Sequence, residues 1–228
     1  MVKTRISHEH TFKGKNWKEE PIRFVFIPAK IKDEIDEKKI SSLKLPKTLA
    51  IAYSIQYKPI AEKIKEILSK NHEITSIIQV LGCSSPKFSK NTKAILLVGS
   101  GRFHAFSLQF ETGIPVYILE ADELKKISGE EVESFRKKKT ASYLKFLNAD
   151  KVGVLISTKP GQENLKTALS LKLKDKKQYF FLGNNIDTRE FENFGLTSWV
   201  NTACPRLDYD SSVINLANLN SGKSKNSF

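Results

Sequence analysis

Two cysteines, Cys83 and Cys204, are the whole thiol supply of a 228-residue chain, and each follows a compact apolar run. Cys83 closes Ile77-Ile78-Gln79-Val80-Leu81-Gly82-Cys83. Cys204 closes Trp199-Val200-Asn201-Thr202-Ala203-Cys204 and leads into Pro205-Arg206. If both runs are strands of open α/β sheets, both thiols lie beyond the carboxyl ends of strands, where such sheets bind ligands. Two thiolates are too few to hold a structural zinc or an iron–sulfur cluster alone, so a metal site needs a further ligand from elsewhere. Taken singly, each cysteine also fits a small buried apolar side chain. Beside Cys204, Pro205 fixes the backbone, and Arg206 could lower the thiol pKa or grip a carboxylate. No Ser-His-Asp or Cys-His order stands out, which disfavours a cysteine nucleophile.

Two loops offer anion-binding chemistry. Gly99-Ser100-Gly101-Arg102-Phe103-His104 follows an apolar run and opens a helical pattern. Glycines there let backbone N–H groups approach an anion at a helix N-terminus. The spacing fits neither the dinucleotide fingerprint nor a Walker loop. A tight turn with Arg102 in solvent is the plain alternative, and His104 is either a general base or a hydrogen-bond partner of its own loop. Ser157-Thr158-Lys159-Pro160-Gly161-Gln162 is a second strand-to-helix loop, placed like the first, with Ser or Thr otherwise serving as a helix cap. His8-Glu9-His10 has no further ligand near it and reads as part of a polar arm.

The elements that must position these residues alternate. Apolar runs at Leu49–Tyr53, Ile74–Val80, Ala94–Val98 and Pro115–Leu119 read as strands, with a helix between Tyr57 and Lys70 and another over Phe103–Phe110. A long helix spans Glu130–Leu147, capped by Ser128, with Arg136-Lys137-Lys138-Lys139 on a solvated face. Lys151–Ile156, Gln178–Leu182 and Ser198–Asn201 read as strands, with helices from Gln162 to about Leu173 and over Thr188–Phe194. A short strand, Ile22–Ile27, ends at Pro28. The expected fold is α/β, with two similar Rossmann-like, doubly wound parallel-sheet units. An arm and linker occupy 1–45, the units 46–125 and 126–217, and a disordered tail 218–228.

Composition sets limits. The net charge is +13, but only six of 38 basic residues are Arg, so the basicity reads as a lysine-rich surface rather than a phosphate-reading one. No specific nucleic-acid partner is expected, because the aromatics fall at core positions. There is no apolar run long enough to cross a membrane, and the first residues lack an apolar signal core, so a cytoplasmic protein is expected. Two cysteines make no disulfide framework.

Four segments occur in order: Val80-Leu81-Gly82-Cys83-Ser84-Ser85-Pro86, Val98–His104, Ile156–Gln162 and Ala203-Cys204-Pro205-Arg206-Leu207. Together they resemble the second and third domains of the diphthamide synthase family, the 2-(3-amino-3-carboxypropyl)histidine synthases, over about Phe24 to Asp210. The resemblance implies three related α/β domains, each giving one Cys to a central 4Fe-4S cluster, with Cys83 and Cys204 as the second and third. It implies that S-adenosylmethionine is cleaved reductively at a C–S bond. The resulting 3-amino-3-carboxypropyl radical would add to a histidine of elongation factor 2. The first domain and its Cys are absent from this stretch, and Ser100 stands where the family tends to carry Asp. The expectation is a catalytic subunit with a separate chain supplying the third Cys, in a homo- or heterodimer. A non-catalytic scaffold subunit is the alternative. Gly99, Ser100, Gly101, Arg102, His104, Ser157, Lys159, Gly161, Gln162 and Arg206 are the expected cofactor-binding residues.

Overall fold

The computed structural model describes residues 27, 29–32, 34–81, 85–120, 123–210 and 213–221. Cys83, the His8–His10 pair and the run 22–26 lie outside the described residues.

The chain begins with a short helix, α1 (Glu37–Ser41), capped by the Asp36 carboxylate, which accepts from the N–H groups of Lys38 and Lys39. The first sheet follows: β1 (Thr48–Tyr53), β2 (Glu73–Gln79), β3 (Ala94–Val98), β4 (Val116–Glu120) and β5 (Glu123–Lys126), in spatial order β2-β1-β3-β4-β5. The first four are parallel, and the apolar runs of β1 and β3 at the centre suit strands buried on both faces. β5 was not anticipated. It pairs antiparallel to β4 and closes that edge with the charged sequence Glu123-Leu124-Lys125-Lys126.

Helix α2 (Lys58–Leu68) turns Ile60, Ala61, Ile64, Ile67 and Leu68 onto one face. That stripe packs on Leu49, Ile51, Leu96 and Val98. Helix α3 (Arg102–Thr112) covers the other face, setting Ala105, Phe106 and Leu108 against Ala52, Ile95, Leu97 and Ile118. Each such large side chain contributes about 1.5–3 kcal/mol by leaving water.

Helix α4 (Gly129–Asn148) joins the halves. Its start is a capping box: Ser128 accepts from the Glu131 N–H while the Glu131 carboxylate accepts from the Ser128 N–H. Ser128→Ala is expected to cost about 1 kcal/mol, read as a lower urea midpoint. Near its start, Phe135 packs edge-on to Phe110 of α3 (centroids 5.4 Å) and against Phe106. Near its end, Phe146 enters the second core with Val152, Val200 and Ile214.

The second sheet holds β6 (Lys151–Ser157), β7 (Lys177–Gly183), β8 (Ser198–Asn201) and β9 (Val213–Asn215), all parallel, in order β7-β6-β8-β9. It repeats the 2-1-3-4 order of the first sheet. The remaining helices are α5 (Leu165–Ser170), α6 (Leu207–Asp210) and α7 (Leu216–Ser221), with a 3-10 turn over Thr188–Phe194. Two readings of the sequence give way here. The helix expected from Gln162 to Leu173 is only α5, because Leu171-Lys172-Leu173-Lys174 alternates with period two. That segment runs out of the helix and lays Leu171 and Leu173 on the core. Residues 218–221, expected in a loose tail, complete α7, whose Leu216 and Leu219, one helical turn apart, pack on the same cluster.

The shared order also revises how the loops correspond. Gly99–His104 follows the third strand of its unit, and its counterpart is the segment with Cys204 after β8. Ser157–Gln162 follows the first strand of its unit and matches Ser54–Tyr57. Likewise Cys83 comes after the second strand of its unit in the chain, and Cys204 after the third. Among the described residues no helix is long and apolar enough to cross a membrane.

Candidate functional site

A cleft of about 520 Å³ opens at the carboxyl ends of β6, β7 and β8. Ser157, Lys159, Gln162, Cys204 and Arg206 line it together with Asn184, Asn185, Ile186, Asp187 and Thr188. Five of the expected residues therefore share one wall. Cys204 is a free, half-buried thiol in its wall.

The Cys204 segment is held from several sides. The Thr202 N–H and hydroxyl both donate to the Leu155 carbonyl, at 3.1 and 2.8 Å. The Asn201 carboxamide accepts from the Ala203 N–H at 2.9 Å and donates to the Cys204 carbonyl at 2.8 Å. Asn164 donates to the Thr202 carbonyl at 2.7 Å, tying the Ser157 loop to the cysteine. Within that loop the Ser157 hydroxyl accepts from the Lys159 N–H at 3.1 Å, and Gln162 closes a turn on the Lys159 carbonyl. Gly161, at φ +77°, shapes the turn but is not part of the cleft wall.

The Gly99 loop lies outside the cleft wall but reaches Arg206. The Arg206 guanidinium sits 5.9 Å from the centroid of the Phe103 ring, and Phe103 meets His104 edge-on. Burial pushes the His104 imidazole below its usual value, and the positive Arg206 nearby adds to this, so His104 is neutral at pH 7. Gly99 has φ +155°, and a Cβ there would stand 3.2 Å from Ser54 Oγ; Gly101 has φ +99°. These two positions explain the glycines by backbone shape. Arg102 turns away from the cleft to pair with the Glu131 carboxylate on α4 and lie over Phe106. Ser100 has no cleft contact.

Sequence reasoning missed the asparagines. Asn184-Asn185 follows β7 directly and could have been found by the same strand-exit rule that singled out Cys204. Asn201 and Asn215 are buried in strands, where Asn is disfavoured, and that local conflict is itself a signal. Asn201 donates to Asn215 Oδ1 at 2.6 Å. Asn215 donates to the Pro205 carbonyl at 2.9 Å and to Asp208, which pairs with Lys139 of α4. Burial pushes the Lys139 ammonium down to about 8, against the pull of Glu111 on α3. Across the cleft, Arg189 holds the Asp187 carboxyl down at about 2.

As a metal site, the described residues offer one corner. No group of three His, Cys, Asp or Glu side chains converges among them. Cys204 fits a thiolate ligand: it is free, it is reachable from solvent, and its loop is fixed through backbone bonds that leave the sulfur uncommitted.

Comparison with known proteins bears on the whole chain. Residues 8–213 match the family described as "Putative diphthamide synthesis protein". A 2-(3-amino-3-carboxypropyl)histidine synthase of Pyrococcus horikoshii is 32% identical over 136 residues, covering 58% of this chain and 40% of that protein. One from Methanocaldococcus jannaschii is 29% identical over 211 residues, covering 85% of this chain and 58% of that protein. A relative from Gallus gallus, 26% identical over 72% of this chain and 43% of its own, is named subunit 1 of the synthase. The crystal structure of Dph2 from Pyrococcus horikoshii with a 4Fe-4S cluster superposes with a TM-score of 0.62 at 28% identity, over 75% of this chain and 56% of that one. The chain thus spans roughly half the length of these relatives.

Proposed function

The chain belongs to the diphthamide synthesis family, and from that premise we propose that it is a cytoplasmic subunit of a 2-(3-amino-3-carboxypropyl)histidine synthase. Cys83 and Cys204 supply two thiolates to a 4Fe-4S cluster. The third comes from outside these 228 residues, which contain no other cysteine. When bound, the cluster supplies the electron that cleaves a C–S bond of S-adenosylmethionine, whose 3-amino-3-carboxypropyl group passes to a histidine of elongation factor 2.

The observation that carries this reading is the free Cys204 thiol in the wall of a cleft at the strand ends, a wall it shares with two cations. The chain's own residues bind and orient. Lys159 and Arg206 lie on the wall beside the thiol and favour a carboxylate there. Gln162 and Asn184 add neutral donors and acceptors to the same wall. Phe103 stacks on Arg206 and restricts where its guanidinium can swing. His104, being neutral, adds no third positive charge and keeps a ring nitrogen able to accept a proton. Gly99, Ser100 and Gly101 shape the loop that presents Phe103 and His104, while Arg102 locks it to α4 through Glu131.

The experiment is co-expression with a chain carrying the third cysteine, purified without air. The expected product is a brown complex holding about four irons and four sulfides per cluster. It should modify elongation factor 2 only with S-adenosylmethionine and a reductant. A stable but iron-free, colourless complex overturns the reading.

A further inference from the structure

A run of polar side chains, buried at Asp208, Asn215 and Asn201, half-buried at Lys139 and exposed at Ser85 and Glu111, leads from behind the Cys204 loop to the other unit. It starts at Ser85, two residues beyond Cys83, whose hydroxyl hydrogen-bonds the Glu111 carboxylate on α3. Lys139 on α4 pairs with the Asp208 carboxylate and lies over the Phe135 ring, which packs edge-on to Phe110 of α3, and the exposed Glu111 carboxylate on α3 attracts the same ammonium. Asp208 accepts from Asn215, and Asn215 accepts from Asn201 at 2.6 Å while donating to the Pro205 carbonyl at 2.9 Å. Asn201 then holds the Cys204 carbonyl and the Ala203 N–H. The Asp208 side chain is 3% exposed and that of Lys139 18%. Asn201, Asp208 and Asn215 are not among the described residues whose fully buried side-chain atoms lack a partner.

We propose that this chain is a strut that fixes the Cys204 loop against the Cys83-bearing unit, with Lys139 as the positioning residue at its centre. Three facts carry it. Every link is a side chain supplied by a different segment, so the strut spans α3, α4, α6, β9 and β8. A paired buried network, as at Asp208, Asn215 and Asn201, holds one arrangement, because any other leaves polar groups without partners. The far end grips backbone atoms on both sides of Cys204, so the direction of the Cys204 Cα–Cβ bond follows from it. Lys139 also supplies the charge that makes a carboxylate at Asp208 tolerable; without it, Asp208 is a buried, uncompensated anion.

The inference deepens the cluster reading, but its test reads the thiol and needs no iron. The 228-residue chain, reduced, is alkylated with iodoacetamide, and the rate at Cys204 is followed by peptide mass spectrometry. Lys139→Met is expected to raise that rate about tenfold, the size of one lost charged hydrogen bond. Lys139→Arg, which keeps the charge, should stay within about twofold of the wild type. Glu111→Gln, at the more exposed end of the chain, should raise it about threefold. Val152→Ala, at the opposite end of the second sheet, is the control for general loosening and should leave Cys204 within about twofold. The inference fails if Lys139→Met and Glu111→Gln both leave the Cys204 rate within twofold, or if Val152→Ala raises it as much as they do. If Lys139→Met does not fold, Glu111→Gln decides alone. A Cys204 rate that responds in a chain whose complex never binds iron would uphold the strut while removing the cluster reading.

Discussion

Replacing Cys204 by Ser in the assembled complex is expected to lower transfer to elongation factor 2 by at least about two orders of magnitude and to bleach the iron–sulfur absorbance. The hydroxyl is close in size to the thiol but does not ionise to a soft anion, and a cluster held by three thiolates loses one corner. The fold should survive. Cys204 is half exposed, its side chain belongs to none of the five hydrophobic clusters, and the bonds that fix its loop run through backbone carbonyls and N–H groups. An unchanged melting temperature of the cluster-free 228-residue chain, with iron lost from the complex, is therefore the expected pattern, and Cys83→Ser should likewise lose iron. A Cys204→Ser complex that keeps full turnover would make this chain a supporting scaffold.

The largest stability effect is expected far from the sulfur, at Gly153 in the middle of β6. A Cβ built there would lie 2.2 Å from Trp199 Cε3 and 2.3 Å from Cζ3. Gly153 and Trp199 are register partners across β6 and β8, so neither backbone can retreat without breaking the sheet. The indole cannot swing aside either: Phe191 stacks on it at 4.1 Å, and Phe181 packs at 4.8 Å. Gly153→Ala should cost about 3 kcal/mol, at the upper end for overpacking. It is measured as a lower denaturant midpoint for the second unit. Combining it with Trp199→Leu should recover part of the loss, because the leucine vacates the space the methyl needs. A double variant no more stable than the sum of the two singles would show that the clash is not the cause.

The residues explain why some of this was legible in the sequence. Leu49–Tyr53, Ala94–Val98 and Val152–Ile156 are unbroken apolar runs, which only a strand covered on both faces requires, and all three lie in interior strands. Ser128 followed by Glu131 announced the start of α4 by its own chemistry. Cys204 could be placed at a strand exit because Pro205 and Arg206 mark the end of the run. What stayed hidden is set by pairing rather than by pattern. β9 has three residues and β5 has three charged residues of four, so neither carries a periodic signal; each forms because a neighbouring strand offers it a ladder. The cleft wall from Asn184 to Thr188 and the Asn201–Asn215 pair belong to tertiary contacts that no local window contains. Arg102 reads as an anion ligand by type, and only the approach of α4 shows that Glu131 has claimed it.

The strand order common to both sheets has one more effect. The halves are built alike, yet the chain leaves its two sulfurs after non-matching strands, the second of one and the third of the other. A rotation that lays one half on its twin strand by strand carries the exit of β2 onto that of β7, not onto that of β8. Duplicating either half would therefore not reproduce the other half's thiol at the equivalent strand exit.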